Sequence, residues 1–82
     1  MKSITVRLFA SLREAAGQSV VHLELENEAR VVDVWDALCD SSSDLEPFHG
    51  RALVALNRRY VSTDVLLSDG DELALFPPVS GG

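Results

Sequence analysis

Cysteine occurs once, at Cys39, and histidine twice, at His22 and His49. One thiol leaves no partner for an internal disulfide, and two isolated imidazoles offer no metal-ligand spacing, so neither cross-links nor a bound metal is expected to hold this chain. Basic residues are also scarce, seven against thirteen acidic ones, for a net charge of −6. Such a surface repels a phosphate backbone, which argues against nucleic acid as a partner. Met1-Lys2-Ser3 leads straight into an alternating segment, not into a basic start followed by an apolar stretch. Neither a signal peptide nor a membrane span is expected, and a soluble cytoplasmic protein is. No repeat, linker or low-complexity stretch interrupts the 82 residues. That length suits one domain burying about 60–65% of its unfolded surface.

What the chain does have is periodicity. Ile4, Val6 and Leu8 alternate with Thr5, Arg7 and Phe9 over residues 2–9, the period of two of a strand with one face in a core. Residues 11–17 read as one or two helical turns stopped by Gly17, since glycine takes the left-handed conformation at a helix end without steric cost. Val21, Leu23 and Leu25 alternate with His22, Glu24 and Glu26, a second strand that pairs with the first and is polar outside. Between Val31 and Asp40, apolar residues at 31, 34, 35 and 38 share one helical face, while Asp33, Asp36 and Asp40 share the other. This is the one substantial helix. Residues 41–44 end it, and Pro47 and Gly50 mark a return to an extended segment at 52–56.

Asn57-Arg58-Arg59 reads as a hairpin tip before a short strand at Tyr60-Val61. Asp69-Gly70, both tolerant of positive φ, turns the chain into a last strand at 72–76, and Pro77-Pro78 closes it because proline donates nothing to a ladder. The order is strand, strand, helix, strand, short strand, strand. With the helix as a right-handed crossover, it predicts an α+β, ubiquitin-like β-grasp whose mixed sheet is crossed by one main helix. The domain is expected over residues 1–76, with an extended tail over 77–82.

That tail, Pro77-Pro78-Val79-Ser80-Gly81-Gly82, reaches about 20 Å when extended. Its prolines stiffen the base and its glycines leave the tip bare, a shape suited to threading a narrow channel. A glycine pair ends roughly 0.5% of random chains, so the pair alone is only moderately specific. The longer segments carry more. Asp69-Gly70-Asp71-Glu72-Leu73-Ala74-Leu75-Phe76-Pro77-Pro78-Val79-Ser80-Gly81-Gly82 and Leu8-Phe9-Ala10-Ser11-Leu12-Arg13-Glu14-Ala15-Ala16-Gly17 resemble the small subunit of molybdopterin synthase, the MoaD type of sulfur carrier. The resemblance spans the chain and is strongest at its two ends. One departure is Arg30-Val31 at the start of the long helix, where that family often has Ser or Thr. A missing cap of this kind costs about 1 kcal/mol locally.

The resemblance implies a carrier with no catalytic side chain of its own and no bound cofactor. An adenylating, E1-like activating enzyme would use ATP to adenylate the Gly82 carboxylate, and a sulfur donor system would convert it to a thiocarboxylate. The thiocarboxylate would pass its sulfur to a pterin precursor inside the large subunit of molybdopterin synthase, in molybdenum cofactor biosynthesis. Chemistry agrees that activation must come first, because a terminal carboxylate with a pKa of about 3.5 is ionised at neutral pH and is a poor electrophile. The phosphate of the precursor would be held by basic groups of the partner. Pro77, Pro78, Val79, Ser80 and Gly81 would thread into the partner, and Phe76, Phe9 and Tyr60 match the family's apolar contact positions. Two carriers at opposite ends of a large-subunit dimer, a heterotetramer, are also implied.

By alternation, Phe76 and Ala74 face away from Leu73 and Leu75, and Phe9 lies on the non-core side of its strand. These aromatics either form a docking surface or close the rim of a small core. Three other uses of the same tail stand beside the leading one: a carrier for thiazole or another sulfur pathway, a ubiquitin-like modifier joined to lysines through Gly82, and an interaction module without tail chemistry.

Other residues read as structural. Cys39 flanks the helical stripe with neither a basic neighbour nor a partner histidine expected to activate it. Asp33, Asp36 and Asp40 form a solvated helix face and lack the turns of a calcium loop. Trp35 reads as a core anchor. Arg58-Arg59 is too short for a nucleic-acid patch. Arg13-Glu14 fits a partner contact and a surface ion pair equally well.

Overall fold

The computed structural model describes residues 1–78. Five strands, β1 (Lys2–Leu8), β2 (Val20–Leu25), β3 (Leu53–Leu56), β4 (Arg59–Tyr60) and β5 (Glu72–Phe76), form one sheet in the order β2-β1-β5-β3-β4. The central pair, β1 and β5, is parallel, and the other pairs are antiparallel. A short helix, α1 (Ser11–Ala16), lies between β1 and β2, and the main helix, α2 (Val31–Ser41), between β2 and β3. This is the mixed sheet with one main helix expected of a β-grasp. Among the described residues no helix is long and apolar enough to cross a membrane.

The alternation in the central strands builds the core. Ile4, Val6 and Leu8 from β1 and Leu73 and Leu75 from β5 are each no more than 2% exposed, and they pack with Val31, Val34, Trp35 and Leu38 of α2. Each such side chain contributes about 1.5–3 kcal/mol through burial. Leu12 of α1 and Leu45, from the segment after α2, join the same cluster. Trp35 is the anchor its place in the stripe suggests, although its indole N–H finds no acceptor among the described residues.

The start of α2 differs from expectation in an informative way. Arg30 cannot cap the helix through its side chain, because a guanidinium only donates. The first turn is closed from outside instead. The Val31 N–H donates to the Val65 carbonyl (3.1 Å), and the Val32 N–H donates to the Thr63 carbonyl (2.9 Å). The Asp33 carboxylate accepts the Arg30 N–H at 2.8 Å, and Arg30 Nη1 donates to the Asp64 carbonyl at 2.6 Å. A remote loop thus supplies the partners that Ser or Thr would have supplied, and offsets the missing cap.

Residues 43–48 also depart from the expected plain return. Ser43–Phe48 forms a 3₁₀ segment that seats Leu45 in the core. One apolar anchor over so short a stretch leaves no periodicity to read, and short 3₁₀ turns of this kind commonly follow α-helices.

The two turns next to β5 and β3 follow local chemistry. Gly70 takes φ 87°, whereas Asp69 does not enter the positive-φ region. Asp69 instead accepts the Ser3 N–H on its carboxylate at 2.7 Å, while the Gly70 N–H donates to the Ser3 carbonyl at 2.9 Å. In the β3–β4 hairpin, Leu56 pairs with Arg59, leaving a two-residue turn in which Asn57 and Arg58 have φ 48° and 75°. Positive φ at both positions is the type I′ requirement, for which Asn-Gly is the preferred pair. Arg58 therefore carries backbone strain, and Arg58→Gly is expected to stabilise the fold by about 1 kcal/mol, raising Tm by roughly 4–8 °C in thermal unfolding followed by circular dichroism.

Candidate functional site

The face of the sheet opposite α2 gathers three aromatic residues. Phe76 ends β5 and pairs with Leu53 of β3. Phe9 follows β1, and its N–H donates to the Leu75 carbonyl at 3.2 Å. Tyr60 lies on β4 opposite Ala55. The Phe9 and Phe76 rings stack with centroids 4.7 Å apart and planes within 10°, and the Tyr60 ring lies 6.4 Å from that of Phe76 at a tilt of 56°. Aromatic pairs at these separations add about 0.5–1.5 kcal/mol beyond area burial.

The three residues singled out from the sequence thus form one cluster. Phe9 remains 39% exposed and Tyr60 72%, and the core lies on the other side of the sheet, so the cluster does not close the rim of that core. Leu53, 40% exposed, extends the patch beside Phe76, and Ala55 and Ala74 face each other across the strands next to it. Alternation in β3 places Leu53 on the open face, but its contact with Phe76 depends on a register that no local pattern specifies. Farther down β5 the patch gives way to polar groups. Arg7 pairs with Glu72 at 3.1 Å, and Asn57 donates to the Asp71 carboxylate at 3.0 Å.

The tail leaves the sheet at the aromatic end. Pro77 is half-buried and Pro78 exposed. Val79, Ser80, Gly81 and Gly82 lie outside the described residues.

The remaining singled-out residues stay apart from this patch. Cys39 shares a shallow cleft with Asp36, Asp40, Glu46 and His49. Burial first, then the neighbouring Glu46, pushes its thiol up to about 11. A thiol held protonated is neither a good nucleophile nor a metal ligand. His49 instead pairs with Asp36 at 3.0 Å. No group of His, Cys, Asp and Glu among the described residues is placed to hold a metal ion. Arg13 and Glu14 are both exposed and form no ion pair with each other.

Residues 6–82 match the family model described as the ThiS family. The chain belongs to the ThiS family. Two kinds of name occur among proteins similar to it. The molybdopterin synthase sulfur carrier subunit of Escherichia coli is 38% identical, in an alignment covering 96% of this chain and 99% of that protein. Small archaeal modifier protein 1 of Haloferax volcanii is 37% identical, covering 93% of this chain and 97% of that protein. The crystal structure of SAMP1 from the same organism superposes with a TM-score of 0.86 at 36% identity, over 98% of this chain and 99% of that one. A complex of subunits 1 and 2 of molybdopterin-converting factor from Helicobacter pylori contains a chain with a TM-score of 0.65 at 25% identity, over 98% of this chain and 99% of that one.

For this ThiS-family domain the state of Cys39 gives a direct check. Raising a thiol pKa lowers the thiolate fraction at pH 8 but makes the thiolate more nucleophilic, leaving alkylation about tenfold slower than for an ordinary exposed thiol. Iodoacetamide labelling followed by mass is expected to show that lag, with a rate still rising at pH values approaching about 11.

Proposed function

We propose that this ThiS-family domain is the sulfur carrier subunit of a molybdopterin synthase, with the Gly82 carboxylate as the group that is activated and used. The supporting observation is the stacked Phe9–Phe76 pair, with Tyr60 beside it, at the end of β5 where Pro77 and Pro78 depart. Exposed aromatics clustered in this way anchor partner proteins. A partner seated on the patch would receive the tail at its own active site, since residues 77–82 can extend about 20 Å.

The chemistry asks little of the chain beyond its terminus. On the activating enzyme, a Gly82 carboxylate oxygen attacks the α-phosphorus of ATP and pyrophosphate leaves, giving an acyl adenylate. Hydrosulfide supplied by the donor system then attacks the acyl carbon, its C–S bond forming as the C–O bond to AMP breaks, so that Gly82 ends in a thiocarboxylate and AMP leaves. Transfer from that sulfur to a pterin precursor takes place in the large subunit. A body of net charge −6 leaves the anionic precursor and nucleotide to basic groups of the partners. Positioning is the carrier's contribution: a tethered, slender terminus delivered to a closed site gains effective concentration without a catalytic side chain. Two carriers flanking a large-subunit dimer form the proposed heterotetramer.

The relative named as a sulfur carrier subunit and the converting-factor complex favour the pterin pathway. The relative named as a modifier favours a second reading, in which the same acyl adenylate or thiocarboxylate is passed to a lysine amine of another protein. One experiment separates the two. The chain, incubated with ATP, a sulfur donor and the host's activating enzyme, is expected to gain the mass of one oxygen exchanged for sulfur at Gly82. A chain extended by one residue beyond Gly82 is expected to gain nothing, and unchanged pathway output from that extended chain would refute the carrier reading. Covalent species larger than the chain would establish the modifier reading instead. Phe76→Ala is expected to weaken binding to the large subunit by about tenfold or more in titration calorimetry, the loss typical of a central aromatic anchor.

A further inference from the structure

The sheet has a second unpartnered surface, away from the aromatic patch, along the outer edge of β2. Odd-numbered residues of β1 turn their backbone groups toward β5: the Thr5 N–H donates to the Asp71 carbonyl (3.1 Å), and the Phe9 N–H donates to the Leu75 carbonyl (3.2 Å). Even-numbered residues face β2, as the bond from the Leu8 N–H to the Ser19 carbonyl (2.8 Å) shows. With Ile4 opposite Leu23 and Val6 opposite Val21, the odd-numbered residues of β2 bond to β1. Val20, His22 and Glu24 therefore direct their N–H and C=O groups outward. No strand among the described residues covers them. The edge is about 20 Å long, and it contains no proline, glycine or lysine, the residues that commonly blunt such edges.

We propose that β2 pairs antiparallel with β2 of a second copy of this chain, about a twofold axis at Leu23, joining two sheets into one. Charge complementarity selects this occupant and this register. His22 then lies opposite the partner's Glu24, and Glu24 opposite the partner's His22, so both ion pairs fall at residues whose backbone groups point across the seam. On the helix side, Val21 meets the partner's Leu25 and Leu23 meets the partner's Leu23, covering side chains that are only half-buried in one copy. A slip of one residue would set polar positions against apolar ones. An axis at His22 would keep the faces matched but lose both ion pairs. His22 is held from its other side by Thr5, whose Oγ1 lies 3.4 Å from Nδ1. The seam lies at the opposite edge of the sheet from β4 and Tyr60, away from the aromatic patch. The pairing does not rest on the chemistry of the tail.

The test uses the full chain at physiological ionic strength, where repulsion between acidic bodies is screened beyond about 8 Å. Analytical ultracentrifugation from micromolar to millimolar concentration is expected to show a monomer–dimer equilibrium. Amide hydrogen exchange of the same samples is expected to show His22 and Glu24 gaining protection as concentration rises. His22→Glu, which sets carboxylates against carboxylates at the seam, is expected to raise the dimer Kd by roughly tenfold. His22→Glu combined with Glu24→His restores opposite charges and is expected to return Kd close to the starting value. Both sites are exposed, so circular dichroism should show unchanged folding, and the exchange measurement on the unaltered chain stands independently of the variants. A monomer throughout with His22 and Glu24 amides exchanging freely, or a dimer indifferent to His22→Glu, would overturn the proposal.

Discussion

Parallel pairing of β1 with β5, with one face of the pair buried, is the constraint from which the rest of the molecule follows. Ile4, Val6 and Leu8 on one strand and Leu73 and Leu75 on the other must lie under α2 to leave water. Because side chains alternate, burying them sends Phe76 and Phe9 to the opposite face. Because the strands run in the same direction, both aromatics emerge at the same end, close enough to stack at 4.7 Å. A slip of one residue between the strands would expose Leu73 and Leu75 and drive Phe76 inward, so core and patch are held by one register.

The same constraint sets the surroundings of the thiol and of the open face. The helix that covers the sheet carries the chain's one thiol on its flank, where burial first and the carboxylates of Glu46, Asp36 and Asp40 second keep Cys39 protonated. The open face carries aromatic and small apolar residues at the tail end, with ion-paired or hydrogen-bonded polar groups farther along. The proposed carrier role asks for little more than such an exposed patch beside a departing tail. Proteins named as a sulfur carrier subunit and as a modifier are each more than a third identical to this chain, so one fold in this family goes with more than one name for what it does.

Much of the fold was legible because the elements that form the core are long and strongly periodic. The alternation of residues 4–8 and the i, i+3, i+4, i+7 spacing of Val31, Val34, Trp35 and Leu38 predict β1 and α2 to within a residue or so. Gly17 and Gly70 mark stops and turns through backbone freedom that needs no context, and both adopt positive φ. The 3₁₀ segment at Ser43–Phe48 has no legible sequence pattern because Leu45 is its lone fully buried anchor. The outside closure of α2 by the carbonyls of Thr63 and Val65 is invisible in the sequence because backbone acceptors have no sequence signature at all.

From the sequence alone came the core-facing residues of β1, β2, β5 and α2, the net acidic charge, and the expectation of a tail suited to threading. These are local or additive properties, set by side-chain chemistry and by the periods of the regular structures. Only the tertiary structure decided that Phe9, Tyr60, Phe76 and Leu53 would share one patch beside the tail, and that the edge of β2 would be left open. Such outcomes depend on strand order and register, which are set when distant segments compete to bury apolar surface together, and no stretch of chain carries that information by itself.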